Sequence, residues 1–362
     1  MASIKRRPDG KYRARYRDAA GGEHAKHFAR KIDAQRWLDA ETADLVVGRW
    51  VSPERRRTTV EEWAELWLAG HGSRRASTQR NARVHLARIT AEFGGYPLSA
   101  VQPSMIRSWL SRLRAEGLSV SYVFALHSRL SQVFTDAALD GLVGANPCSR
   151  RTSPGNARQR PYLATTEQVW GLHNAMQPRY RLAVLLGAFA GLRTAEVCGL
   201  RVADVAFLAR EIRPAVQWPA QPLKTAMSRT VIPVPDALLT AISAQVSSWP
   251  GETVLTGPDG AGQLCPTTLG DDFRRARRRV DGLPAGFRFH DLRHYYASLL
   301  IASGADVKIV QHRVRHASAK TTLDTYGHLW PDTDESTRTA VERVMSAKLA
   351  DSADSVRTGA DQ

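Results

Sequence analysis

The sequence predicts a multidomain fold with three parts. They are a small α+β N-terminal domain (a short antiparallel sheet plus one helix), an all-α helical bundle, and a larger, mainly α, mixed α+β domain. Three observations carry this. The 362 residues suffice for two or three domains of about 100–200 residues each. An apolar share of 43% supports real cores. The residue pattern also changes along the chain, from strand alternation to helical spacing to a mixture of the two.

Residues 1–57 form the first part, with 15 Lys and Arg against 8 Asp and Glu. Tyr12-Arg13-Ala14-Arg15-Tyr16-Arg17 alternates as a strand does, so Arg13, Arg15 and Arg17 share one face. A turn at 20–23 leads to a second strand over 24–29. A helix over 33–47 has Trp37, Leu38 and Leu45 on its apolar side. A small sheet displaying arginines and backed by one helix suits DNA binding.

Residues 58–147 read as four helices. Thr59-x-x-Glu62 is a capping box, followed by Trp63, Leu66 and Trp67 at helical spacing. Ser77 starts a second helix that Gly94-Gly95 ends. Pro103 fits the first turn of a third, and Ser119 caps a long fourth through Leu139. Arg80, Arg83, Arg88, Arg107, Arg112 and Arg114 fall on outward positions, and each alone reads as the wet face of a bundle. Residues 148–160 are a basic linker carrying Arg150, Arg151, Arg158 and Arg160 with no acid. Such arginines suit phosphate contact.

Residues 161–350 form the larger domain. Thr165-x-x-Gln168 opens a helix, and 180–190 is almost continuously apolar, hence a buried helix. Arg193 follows directly, where a charge is costly without a partner, and Glu196 at i+3 supplies one. Strands are expected over 211–218, 230–234 and 253–255, with Lys224 between the first two. Lys224 is the only lysine between residues 32 and 307, and lysine, unlike arginine, can give up a proton. Helices are expected over 236–249, 267–280 and 337–349, and a disordered tail over 351–362.

The formal charge of +16 and a pI near 10.3 point to a polyanionic partner. Cys148, Cys198 and Cys265 are odd in number and lack metal spacing, so no metal site, no disulfide framework and a cytoplasmic setting are expected. The basic N-terminus lacks the apolar segment of a signal peptide. The longest apolar run, 182–192, is too short for a membrane span, so no membrane association is expected.

The chemistry concentrates in 290–328. His290-Asp291-Leu292-Arg293-His294 places His290 and Arg293 on one helical face. Gly304 ends that helix, Asp306 caps the next, and Ser318 caps a third that carries Tyr326 in its last turn. Arginine grips phosphate with a charge that does not titrate away. Histidine exchanges protons near neutrality, and a tyrosine hydroxyl can act as a covalent nucleophile. Phosphoryl transfer requires mainly positioning and stabilisation of spread negative charge.

His290-x-x-Arg293, His316 and Tyr326-Gly327-His328 resemble the tyrosine recombinase, or phage integrase, family. The resemblance calls for an earlier arginine in a Gly-Leu-Arg-x-x-Glu context, met by 191–196, and a hairpin lysine, met by Pro222-Leu223-Lys224-Thr225. It implies Arg193, Lys224, His290, Arg293, His316 and the nucleophile Tyr326 as the catalytic set, with Glu196 in support. It further implies an arm-type DNA-binding domain at 1–57, a core-binding domain at 58–147 and a catalytic domain of the tyrosine recombinase type at 161–350. The implied activity is integration or excision of a phage or mobile element through a 3′-phosphotyrosyl intermediate, with no cofactor. The implied partners are double-stranded DNA attachment sites. Other copies complete a homotetramer in which the C-terminal segment docks on a neighbour, alongside an accessory DNA-bending or directionality factor. The nucleoid is the implied location.

One departure stands out, because the family usually has Leu-Gly before the late histidine and this chain has Val314-Arg315. Arg315 therefore calls for an unusual backbone conformation or a DNA contact. His294, Tyr295 and His328 read at least as well as packing or capping residues. The rival readings are a Xer-type resolvase of chromosome dimers, a type IB topoisomerase and a non-catalytic DNA-binding regulator. The basic N-terminal sheet argues against the first and the intact reactive set against the last.

Overall fold

A computed structural model describes residues 2–155, 161–223, 226–260 and 262–330, together with Glu342 and Met345. The expectations for Arg158, Arg160, Lys224, the helix at 337–349 and the tail at 351–362 lie outside the described residues. The chain forms two compact units, Met1–Arg158 and Gln159–Gln362.

In the first unit, β1 (Ser3–Arg6), β2 (Tyr12–Arg17) and β3 (Glu23–Phe28) form an antiparallel sheet in that order. β1 is not legible in the sequence, because Ser3-Ile4-Lys5-Arg6 is short and polar and gains its strand character by pairing, Ser3 opposite Arg15. Ala14 and Tyr16 face inward under α1 (Lys31–Val46), while Arg13, Arg15 and Arg17 face outward as the alternation requires. Glu23 lies 3.3 Å from Arg13 and 3.5 Å from Arg15. The buried Glu41 of α1 accepts from Tyr16 and Trp50 at 3.0 Å and from both fork nitrogens of Arg56 at 2.9 and 2.8 Å. That one carboxylate ties sheet, helix and the 55–57 turn together.

The helices α2 (Val60–Gly70), α3 (Ala76–Phe93), α4 (Pro103–Ala115) and α5 (Val120–Leu139) follow in the same unit. The Thr59–Glu62 capping box closes α2, and Ser119 caps α5. Trp63 donates to the Val133 carbonyl at 2.9 Å and Trp67 to Asp136 at 2.6 Å, fixing α2 on α5. Leu66 is exposed, because the i, i+4 pair Trp63 and Trp67 sets the buried face. The outward arginines of α3 and α4, and Arg150 and Arg151, are exposed.

The second unit contains α6 (Thr166–Ala175), α7 (Arg181–Phe189), α8 (Thr194–Gly199), β4 (Val205–Ala206), β5 (Glu211–Ile212), β6 (Val216–Gln217), β7 (Gln221–Pro222) and β8 (Ile232–Pro233). α9 (Asp236–Ser248), α10 (Pro266–Arg277), α11 (Leu292–Ala302), α12 (Val307–Arg313) and α13 (Ala319–Tyr326) complete it. The strands make a small antiparallel sheet β4-β5-β8 and a separate hairpin β6-β7. The single strand expected over 211–218 is therefore two short ones. Pro214 between them has no N–H to donate to a ladder. The strand expected over 253–255 is reduced to isolated bridges at Thr253 and Thr256.

α7 is the centre of this unit, with 182–188 wholly buried, as its unbroken apolar run predicts. Burial of Leu182, Leu185 and Leu186 contributes about 2 kcal/mol each. α11 crosses α7 closely, since a Cβ at Gly187 would lie 3.1 Å from Leu292 and 3.2 Å from Phe289. A smaller core joins α11 to α13 through Tyr296, Ala297, Ile301, Val310, Val314 and Tyr326. Among the described residues no helix is long and apolar enough to cross a membrane.

Gly191 ends the α7 segment at φ +60°, and a Cβ there would meet Cδ1 of Tyr296 at 2.6 Å. Gly191→Ala therefore combines a left-handed backbone with a ring overlap. Urea denaturation should show a loss of about 3 kcal/mol; a loss below about 1 kcal/mol would contradict this packing.

Candidate active site

Two helix junctions bring the site together. The turn after α7 presents Arg193 at the N-terminus of α8, and the start of α11 presents His290 and Arg293. The short α12–α13 connection presents Arg315 and His316, and α13 ends on Tyr326. Of the residues expected from the sequence, Arg193, Glu196, His290, Arg293, His316 and Tyr326 are thus gathered. Arg13, Arg15, Arg17, Arg150 and Arg151 belong to the other unit.

At the base lies Glu196, only 2% exposed. Its carboxylate accepts from the Arg193 backbone N–H at 2.9 Å, the Arg193 guanidinium at 2.8 Å and the Arg315 guanidinium at 2.6 Å. Burial alone would raise this carboxyl, but Arg315 and then Arg193 outweigh burial and hold it below the usual range. Arg193 is anchored further by the Arg315 carbonyl at 3.2 Å, and its side chain remains 36% exposed. It can therefore be oriented from below and still face an incoming anion.

Arg293 is 2% exposed. Its Nη1 donates to the Gly191 carbonyl, while its Nη2 is buried with no partner. Burial, followed by the charges of Arg193 and Arg315, presses this guanidinium below its ordinary range. A guanidinium keeps its proton, so the pressure amounts to an unmet demand for a negative charge.

Arg315 corrects the expectation of a DNA contact. Its backbone is left-handed, at φ +50°, and its side chain turns inward, 1% exposed. It donates to Glu196, to the Gly191 carbonyl at 3.2 Å and to the Ser228 carbonyl at 3.2 Å. Where the family has a glycine for the turn, this chain adopts the same strained region and uses the arginine as an internal brace.

Tyr326 is fully buried, with its phenol pushed up to about 12 by burial while Arg293 pulls it down. The His316 ring lies parallel to it, with centroids 6.1 Å apart and planes at 2°. His316 Nδ1 lies 3.1 Å from the Thr322 hydroxyl. Burial, then Arg293 and Arg193, lowers His316 to about 4. His290 stands exposed at the mouth. Loss of surrounding water and then the Arg293 charge still hold it below its ordinary value.

The residue that sequence reasoning missed is His294. Its Nδ1 is 2.7 Å from the Tyr326 hydroxyl, and its Nε2 is 3.8 Å from Asp291 Oδ1. Burial, then His290, lowers it to about 4. The signal available was Asp291-x-x-His294, a carboxylate and an imidazole at i, i+3 on the helix of Arg293. Among the described residues no cluster of three or more His, Cys, Asp or Glu is arranged to hold a metal ion.

Known proteins resemble this chain in sequence and in fold. The model of the phage integrase family matches residues 163–332, and that of the phage integrase N-terminal domain matches 2–46. The prophage phiRv2 integrase of Mycobacterium tuberculosis is 28% identical over 338 residues, covering 87% of this chain and 88% of that protein. The integrase of Mycobacterium phage D29 is 22% identical over 346 residues, covering 88% and 90%. Among solved structures, a Tn1549 transposon integrase in complex with circular intermediate DNA superposes with a TM-score of 0.68 at 19% identity, covering 79% of this chain and 99% of that one. A lambda integrase tetramer bound to a Holliday junction gives 0.61 at 20% identity, covering 91% and 95%. The chain belongs to the phage integrase family, the site-specific tyrosine recombinases.

Two outcomes follow from the site. Arg315→Met leaves Glu196 with Arg193 as its charged partner. It should cost about 3 kcal/mol in chemical denaturation at neutral pH and flatten the acid limb of stability, because Glu196 then titrates closer to its unfolded value. His294 and His316 accept protons near 4 when folded and near 6.5 when unfolded. The unfolded chain thus binds more protons as pH falls from 6.5 towards 4, and stability drops through that window. Each ring should contribute a loss on the order of 2 kcal/mol by its lower end, and the His294→Asn/His316→Asn double variant should flatten the profile. An equally steep profile in the double variant would contradict the burial of these rings.

Proposed function

We propose that this protein cuts and rejoins DNA at specific sites through a covalent 3′-phosphotyrosyl intermediate on Tyr326, integrating or excising a mobile element. The observation that carries this is the enclosure of the Tyr326 phenol beside Arg293, a buried guanidinium with one nitrogen still unpartnered. A scissile phosphate supplies the missing acceptor. Arg193 and Arg293 take its non-bridging oxygens and stabilise the charge of the transition state. The Tyr326 oxygen attacks phosphorus, the bond to the 5′-oxygen breaks, and Lys224 supplies that oxygen with a proton. His290 and His316 assist by proton transfer or hydrogen bonding. The phosphotyrosine conserves the energy of the broken bond, so neither ATP nor a metal ion is required.

In the same reading, Arg13, Arg15 and Arg17 of the N-terminal sheet and Arg150 and Arg151 near the basic linker meet phosphates of the attachment sites. The chain acts as a tetramer on two duplexes, its C-terminal segment docked on a neighbour, with accessory DNA-bending or directionality factors. The DNA complexes and tetramer among the structural neighbours support this organisation.

A nicked suicide substrate carrying the element junction, incubated in EDTA and resolved on denaturing gels, tests the reading. Wild-type protein should yield a DNA-linked band, and Tyr326→Phe should bind the same DNA with no such band. Linkage by Tyr326→Phe, or a requirement for a divalent metal, would exclude the mechanism.

A further inference from the structure

We infer that His294 is a further catalytic residue, the group that takes the proton from the Tyr326 hydroxyl as this oxygen attacks phosphorus. The inference rests on the reading of Tyr326 as nucleophile and concerns which side chain activates it. Three histidines surround the phenol, and geometry separates them. His316 presents its ring face to Tyr326 and directs Nδ1 to Thr322. His290 packs edge-on against His294, with ring centroids 5.5 Å apart, and stands at the exposed mouth. His294 alone among these three has a ring nitrogen within hydrogen-bond distance of the phenol oxygen in this structure, at 2.7 Å.

The direction of that hydrogen bond follows from the other side of the ring. His294 Nε2 faces Asp291 Oδ1 at 3.8 Å, and the other oxygen of Asp291 is held by the Arg288 backbone N–H at 2.7 Å. A fixed carboxylate on that side favours the proton on Nε2, which leaves the Nδ1 lone pair to accept the phenol O–H. Nucleophile, imidazole and orienting carboxylate thus stand in line, with the order of roles that activates a hydroxyl in hydrolases.

Bond changes balance without any further reactant. The Tyr326 O–H bond breaks and its proton moves to Nδ1. The phenol oxygen bonds to phosphorus, and the phosphorus bond to the 5′-oxygen breaks, that oxygen taking a proton from Lys224, which recovers it on religation. On religation the 5′-hydroxyl attacks, and the phenol recovers its proton from His294.

In the free protein the proton stays on the phenol, because the ring is surrounded by Arg293, Arg288, His290 and His316, with Asp291 as the facing anion. A phosphodiester seated on Arg193 and Arg293 offsets that positive charge. The phenol itself becomes acidic as its oxygen bonds to phosphorus, so transfer is coupled to attack.

The test is single-turnover cleavage of the suicide substrate by wild type and His294→Asn. Asparagine places an acceptor near the Nδ1 position without useful basicity. The expected result is a loss of roughly 10²–10³-fold in cleavage with unchanged DNA affinity by gel shift. A fluorinated tyrosine of lower phenol pKa at position 326 should then recover at least about tenfold of that loss in the His294→Asn background. Recovery is a readout that a purely packing role would not move.

Cleavage at or above the wild-type rate would overturn the inference and make the hydrogen bond a resting latch. A slow variant that fluorotyrosine does not rescue would overturn it in favour of packing. If wild type itself forms no covalent product, the reading of Tyr326 as nucleophile fails first, and the inference falls with it.

Discussion

The site depends on a single buried carboxylate surrounded by more positive charge than it can neutralise. Glu196 pairs with Arg193 and Arg315, while Arg293 shares the Gly191 carbonyl with Arg315. Three guanidiniums therefore converge near one anion, and two of them are almost fully buried. Desolvating a charge is expensive unless it is matched. Glu196 offsets enough of that cost for the fold to form and leaves a net positive charge at Arg193, which faces outward, and at Arg293, whose buried Nη2 has no partner. Under the proposed function, that surplus is what draws a phosphodiester.

Geometry converts that surplus into a site. The close crossing of α11 over α7 at Gly187 brings the Gly191 turn against the first turn of α11. The Gly191 carbonyl then serves two arginines that lie 102 and 124 residues further along the chain. Their forks are thereby held by backbone that is itself locked in a core, so little conformational freedom remains to be lost on binding phosphate. Tyr326 is part of the smaller α11–α13 core, so one packing arrangement sets both the arginine cluster and the proposed nucleophile.

Much of this was legible from local pattern. The capping boxes at Thr59 and Thr165, the apolar run of α7 and the caps at Ser119, Asp306 and Ser318 are short-range signals, and each marks the element it predicts. The residues gathered at the site were readable because their chemistry and order along the chain form a recognisable set. What escaped depends on contacts distant in sequence. Arg315 turns inward to a carboxylate 119 residues away, and nothing near it in the chain announces that partner. His294 reads as one more helical histidine until a hydroxyl 32 residues later closes on it. β1 exists because β2 pairs with it, and the strand after Glu211 stops because Pro214 interrupts the ladder.

The site also divides charge from proton transfer. Arginines supply a charge that stays constant across the physiological range. His294 and His316 titrate near 4, so in the free protein they are neutral at pH 7 and add nothing to that charge. The charge of the site is therefore set by residues that do not titrate, while burial first, and the neighbouring positive charges after it, hold both imidazoles uncharged. On the function proposed above, an anion seated on the arginines would offset the part of the shift that comes from neighbouring positive charge and raise the basicity of both rings. The arginine cluster thus acts on the protonation of the two buried imidazoles as well as supplying the fixed charge of the site.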